Sequence, residues 1–202
     1  MKIKIINDAN RLIEPSFSLD IAKKHSYYNE ISRMVIFKAI DYMLQNNEIF
    51  SLNFSYADMN NHSLLNKIEE TISKHSLEGR LIFEIVETEH LDDIKIVNSF
   101  IDRFKAHGVK IAINDFGSSN SNFDYIFSLN PDFIKIDGSL ISRILEDEKM
   151  YLLVDAIIQF AHKLDVEVIA ERVYSQELHD TLINLNIDAI QGFFLIQPNE
   201  NI

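Results

Sequence analysis

The chain of 202 residues has no cysteine and no tryptophan, and only 5 glycines and 3 prolines. Without cysteine there can be no disulfide, no thiolate zinc site and no cysteine nucleophile, which leaves oxygen and imidazole as the donors for any metal. So little Gly and Pro, beside 47% hydrophobic and 25% charged residues, excludes collagen-like, low-complexity and disordered classes. No apolar run approaches the ~18 residues of a membrane-spanning helix. Positive charge is scarce too: 19 Lys plus Arg stand against 31 Asp plus Glu, a net −12. The average surface therefore repels duplex nucleic acid and anionic membranes, and a nucleic-acid polymer is not an expected partner. A small nucleotide held in one locally cationic pocket is compatible with that balance. Residues 1–6 are followed by Asn7, Asp8 and Asn10, too short and too polar-flanked a stretch for a signal peptide, so a cytoplasmic chain, or a cytoplasmic piece of a longer one, is expected.

What the sequence does have is alternation. Short β-rich runs lie at 2–6, 49–54, 80–86, 109–114, 132–136, 166–170 and 188–191, giving seven strand candidates. Helical periodicity separates them: Ile31, Met34, Val35, Ala39 and Met43; Ile94, Val97, Ile101 and Phe104; Leu153, Ile157, Phe160 and Leu164. Asp92-Asp93 and Gly108 bracket one helix, and Ser175 with Glu177 opens another. Runs such as 166–170 are too continuously apolar to have a wet face, which predicts parallel strands covered by helices. No linker or low-complexity tract divides the chain, so one α/β domain over 1–202 is expected, as an open doubly wound sheet or a (β/α) barrel.

The strand ends bear on that choice. Asn53 ends one run, Glu84 and Glu87 bracket the end of the next, and Asn114-Asp115, Lys135 with Asp137, Glu171 and Gln191 follow in turn. Any one such residue is ordinarily a turn former or a helix cap. Six in succession are harder to assign that way. An open sheet spreads them along an edge at ~4.8 Å per strand, whereas a barrel gathers them at one mouth. Carboxylates, amides and a lysine gathered there are hard ligands for Mg²⁺, Mn²⁺ or Ca²⁺, plus a cation able to hold an anion or place a water. The seven histidines show no paired spacing and read as surface residues. No Ser/His/Asp elbow or phosphate-cradling GxxxxGK motif is present.

These residues resemble the EAL-domain family of cyclic di-GMP phosphodiesterases. Leu52-Asn53-Phe54-Ser55 is similar to its N-x-S, Phe83-Glu84-Ile85-Val86-Glu87 to its E-[IL]-T-E, and Asn114-Asp115-Phe116-Gly117 to its D-D-F-G. Phe133-Ile134-Lys135-Ile136-Asp137 resembles [LF]-[IL]-K-I-D, Ile169-Ala170-Glu171-Arg172-Val173 resembles A-E-G-V-E, and Gln191-Gly192-Phe193 resembles Q-G-[YF]. Order and spacing hold from about Glu14-Pro15 to Pro198. The resemblance implies a TIM-like barrel whose mouth takes cyclic di-GMP and two Mg²⁺ or Mn²⁺ ions, with in-line hydrolysis to linear pGpG. It implies that Asn53, Glu84, Asn114 and Asp115 ligate metal, and that Lys135, Glu171 and Gln191 hold water or phosphate. By the same token Glu87 would anchor the loop after Asp115, and Lys4 would help hold the ligand.

The sequence departs from the pattern where charge matters. The family's signature Glu-Ala-Leu falls, by register, on the 2–6 run, and its Glu falls at or before Met1, where this sequence has no acidic residue. The barrel expected is thus one lacking the first strand of the family fold. Asn114 replaces the first Asp of D-D-F-G, so a second carboxylate is gone; each such loss weakens divalent-metal binding by several kcal/mol before relaxation. The loop 118–122 lacks the usual Gly-Tyr, and Arg172 and Tyr174 replace the Gly and second Glu of A-E-G-V-E. The expectation is a degenerate member that senses cyclic di-GMP or serves as a regulatory or dimerisation module, working as a homodimer or with a fused or partner signalling domain. Its alternatives are an active Mg²⁺- or Mn²⁺-dependent phosphodiesterase, and strand ends kept only as caps.

Overall fold

Alternating polarity along the strands separates two faces. In the computed structural model, which describes residues 5–6, 12–13, 27–86, 94–117 and 128–195, Leu52, Phe54, Leu81, Phe83, Ile85, Ile111 and Ile113 enter one buried apolar cluster. Phe116, Ile134, Ile136, Val168 and Ala170 enter a second. The intervening strand residues are the polar ones singled out above: Asn53, Glu84, Asn114, Lys135 and, just past the strand ends, Glu171 and Gln191. With period-two alternation, a helix-covered apolar face leaves the opposite face to these groups.

The chain order is β1 (Ile5–Ile6), β2 (Leu12–Ile13), α1 (Tyr28–Gln45), β3 (Phe50–Phe54), α2 (Tyr56–Met59), α3 (His62–His75), β4 (Leu81–Val86), α4 (Ile94–Lys105), β5 (Lys110–Phe116), β6 (Phe133–Ile136), α5 (Gly138–Ile141), α6 (Glu148–His162), β7 (Glu167–Ala170), α7 (Gln176–Asn184) and β8 (Ala189–Ile190). Strands β3 to β8 form a six-stranded sheet in sequential order, every neighbouring pair parallel. A doubly wound sheet reverses its strand order at a switch point; these strands do not, and the succession is that of a TIM-like barrel.

The 2–6 run departs from expectation. Its described part, β1, pairs antiparallel with β2 in a separate two-stranded sheet and adds no strand to the parallel array. Chain length explains the antiparallel pairing: five residues separate Ile6 from Leu12, and a parallel crossover needs a dozen or more. Strand β2 itself is absent from the periodic reading, being two residues long. The helices stand where periodicity puts them, but two buried stripes are rotated: α1 buries Ile36, Ala39, Ile40 and Met43 and leaves Met34 exposed, while α6 buries Val154, Ile157, Ile158 and Ala161 and leaves Leu153 partly exposed. Both helices carry apolar residues on more than one face, so period alone does not choose the face. Ser175 caps α7, accepting from Leu178 N–H at 3.2 Å, and Gly108 takes a left-handed φ of +70° as α4 ends. The Asp92-Asp93 helix start lies outside the described residues.

Two aspartates fix the opposite, N-terminal ends of the strands. Asp132 accepts the Ile111 N–H at 2.8 Å and pairs with Lys110 at 2.9 Å and Lys105 at 3.3 Å. Asp188 likewise accepts the Val168 N–H at 2.7 Å and bonds to His162 at 2.7 Å. Burial pushes the Asp132 carboxyl up, but the Ile111 N–H and the two lysines outweigh it, and it rests below its ordinary 3.8. A depressed carboxyl stabilises fully above its unfolded value and loses that contribution as pH falls through the folded one. Asp132→Ala is expected to cost about 1–3 kcal/mol at neutral pH by orphaning the Ile111 N–H. Urea denaturation checks it: the gap to the parent protein should narrow below pH 4, and a constant gap would refute the charge contribution.

Candidate functional site

Asn53 and Glu84 are register partners on β3 and β4, and their apolar sequence neighbours anchor them. Phe54 and Phe83 pack at 4.3 Å between ring centroids, Phe100 of α4 lies 5.1 Å from Phe54, and Phe104 lies 4.9 Å from Phe83. Fully buried aromatics contribute about 2–3 kcal/mol each, so the strand positions beside Asn53 and Glu84 are among the most firmly held in the fold. The chain then turns through a capping box, not through an Asn53 cap: Ser55 accepts from Asp58 N–H, and the Asp58 carboxylate accepts from Ser55 N–H at 3.0 Å, Ser55 Oγ at 2.7 Å and Tyr28 OH at 3.1 Å. Ser-x-x-Asp is legible in the sequence as such a signature.

On β5 the pairing with β6 slips. Ile113 pairs with Ile134 but Phe116 with Ile136, so Asn114 and Asp115 together stand against the single position of Lys135. This extra residue is a β-bulge, a device that re-aims side chains, and Asp115 absorbs it in the left-handed region at φ +57°, which Asp tolerates better than most residues. Gly117 takes φ +89°, where a side chain bearing a Cβ is strained, and a Cβ there would press on the end of the Leu140 side chain. Burial pushes the Asp115 carboxyl above its ordinary value and the charge of Asp137 adds to this, while Lys135 and Arg172 pull it partly back. The side-chain oxygen of Asn114 is buried and accepts no hydrogen bond.

Lys135 lies at the centre. Its Nζ donates to Glu84 Oε2 at 2.9 Å and pairs with Glu171 Oε1 at 2.6 Å, and it is only 4% exposed. To reach Glu84 it passes β5, where Ala112 is the register partner of both Glu84 and Phe133 and offers no bulk to block it. Burial alone would lower the lysine; Glu84 and Glu171 more than reverse this and hold it above 10.5. One ammonium thus neutralises half of the charge of two carboxylates.

Gln191 is fixed through its backbone, donating to Ala170 O at 2.8 Å and accepting from Val173 N–H at 3.0 Å. Gly192 follows because a Cβ there would strike the Val173 backbone. Asp137 serves as the N-cap of α5, accepting from Ser139 N–H at 2.9 Å, as the plain reading of a strand end has it. Lys4 and Glu87 lie outside the described residues. His107, His162 and His179 each bond to a carboxylate, of Glu69, Asp188 and Asp180 respectively, and among the described residues no three His, Asp or Glu side chains are grouped to hold a metal.

The donor chemistry suits a hard divalent cation: Asn114 offers an orphaned oxygen and Asp115 a carboxyl, with Asn53 and Glu84 on the adjacent strands; with an amide at 114 the set carries one carboxylate fewer than the family motif, which suits a pair of ions poorly. The residue absent from the sequence-level site is Arg172. Its signal is a cation where the resembling motif has glycine.

Comparison with known proteins agrees with this layout. The EAL domain family model matches residues 3–198. The chain is 30% identical over 185 residues to the cyclic di-GMP phosphodiesterase PdeA of Borreliella burgdorferi, covering 89% of this chain and 28% of that protein. It is 26% identical to the cyclic di-GMP phosphodiesterase PdeF of Escherichia coli, covering 97% of this chain and 27% of that protein. The chain spans about a quarter of the length of these relatives. Among solved structures, the PaMucR phosphodiesterase in complex with c-di-GMP is similar with a TM-score of 0.86 and 26% identity, over 96% of this chain and 82% of that one. The FimX EAL domain from Pseudomonas aeruginosa, bound to c-di-GMP, gives 0.89 at 24% identity, over 97% and 81%, a likeness of fold. With a family match spanning nearly the whole sequence and the polar strand ends brought to one side of a TIM-like sheet, the chain belongs to the EAL domain family.

Proposed function

We propose that this chain is an EAL module, a single barrel domain over 1–202, that recognises cyclic di-GMP without turning it over at enzymatic rates, and that it acts as a nucleotide sensor or regulatory module. One observation carries the reading: the bulge on β5 presents an amide, Asn114, where the family motif has a carboxylate, so the mouth is short of the anionic charge that a pair of catalytic cations would need. In this reading Asn53, Glu84, Asn114 and Asp115 are the metal-directed set, able to hold one Mg²⁺ or Mn²⁺. Such an ion would neutralise charge on a phosphodiester oxygen when bound. Lys135, Glu171 and Gln191 orient phosphate and water. The c-di-GMP in the complexes of similar structures supports the ligand class. That no helix among the described residues is long and apolar enough to cross a membrane accords with a cytoplasmic place, and output through a homodimer or a fused signalling domain is part of the proposal.

The second reading, an active phosphodiesterase, has an observation of its own: the unpartnered Asn114 oxygen is ready for a cation, and the similar curated proteins are named phosphodiesterases. Incubation with cyclic di-GMP and Mn²⁺, followed by chromatography of pGpG, separates the two. No product above a buffer control is expected; turnover of about 1 s⁻¹ or faster would establish the second reading. Calorimetry with cyclic di-GMP and Ca²⁺ should still show binding.

A further inference from the structure

Arg172 is held in a conformation that its residue type disfavours. It takes a left-handed φ of +56°, where glycine sits freely and a side chain bearing a Cβ is strained. The strain is matched by a fitted surface. A Cβ at Gly138 would collide with the Cβ, Cγ and Cδ of Arg172, so the arginine stem lies flat against the backbone at the start of α5, across the end of β6. Packing fixes the stem while the residue as a whole stays exposed, and the guanidinium makes no hydrogen bond or ion pair with any described residue. The stem thus reaches from the end of β7 to Gly138, the residue after Asp137. The Asp137 N–H donates to Phe116 O at 3.0 Å, which places the stem on the rim beside the β5 bulge of Asn114 and Asp115.

Strain kept at a mouth, a stem seated on a glycine and an unpaired head together describe a ligand-binding group. A guanidinium is a planar fork that fits two phosphate oxygens at once, and it brings positive charge to a mouth whose metal-directed side is short of anions. Resting on the cyclic di-GMP reading above, we infer that Arg172 binds a phosphodiester group of the dinucleotide, supplying at the rim some of the positive charge that a second divalent ion would otherwise bring.

The test is calorimetric titration of cyclic di-GMP into the full chain in Ca²⁺ buffer, for the parent protein, Arg172→Gly and Lys67→Gln. Lys67 lies on α3, pairs with Glu70 and controls for loss of one positive charge far from the mouth. Arg172→Gly is expected to weaken binding about tenfold, the size of one charge-assisted contact, and at the same time to raise the melting temperature, because glycine relieves the backbone. Lys67→Gln should bind as the parent does. Parent-like affinity in Arg172→Gly, or an equal loss in Lys67→Gln, overturns the inference and leaves the functional reading intact. No binding by the parent protein overturns both.

Discussion

Replacing Lys135 by methionine is expected to lower the unfolding free energy by about 3–5 kcal/mol at neutral pH, the cost of removing one partner from a buried ion pair. Methionine fills the space of the stem, so the loss comes from Glu84 and Glu171, left as neighbouring carboxylates without a cation. In the parent protein the lysine contribution is present throughout the neutral range, below its ordinary 10.5, and is lost only as pH rises through its raised folded value. Millimolar Mn²⁺ should return part of the lost stability to the variant by mass action, the ion entering where the ammonium had been. Denaturant titrations at neutral pH, with and without Mn²⁺, check this. A loss under about 1 kcal/mol would mean that the three side chains contribute no more than an exposed pair does.

The second large effect is a gain. Asn114→Asp places a carboxylate at the bulge beside Asp115, opposite Lys135 in the sheet register. The amide oxygen there is buried and without a hydrogen-bond partner, so on the proposed reading a cation would find a ligand at this point and lack only charge. Adding that charge in a half-buried setting is expected to raise Mg²⁺ or Mn²⁺ affinity at least about tenfold. Without metal the same variant should be less stable than the parent, since a second carboxylate joins Asp115, whose own carboxyl is already pushed up by burial and by Asp137. Opposite signs with and without the ion are the signature to look for. Unchanged metal affinity would mean that Asn114 does not face the cation site.

Much of this was legible in the residues. Strands β3 to β8 each fall within a residue or two of their β-rich runs, because parallel strands buried under helices write themselves as short apolar stretches, and of the groups that end them Glu84, Lys135 and Glu171 are brought into contact. The buried stripes of α1 and α6 were less legible, since a helix apolar on several faces gives period without direction. The hairpin of β1 and β2 escaped because two-residue strands carry no periodic signal. Within the site, the sequence shows that Lys135 is a strand-end cation but not that it is shared by Glu84 and Glu171; that sharing depends on Ala112 leaving space across β5, a three-strand coincidence that no single run contains. The bulge is likewise invisible until register is known, although Asp115 followed by Gly117 marks a place where left-handed backbone is tolerated. Arg172 could be read as a departure from a motif, but its strained φ and its seat on Gly138 belong to the folded chain alone.

The most direct measurement of the central claim is a calorimetric titration of Mn²⁺ into the unmodified protein at neutral pH, with the number of ions bound per chain as the readout. A mouth with an amide at position 114 in place of a carboxylate predicts at most one weakly held ion. Two tightly bound ions per chain would contradict it.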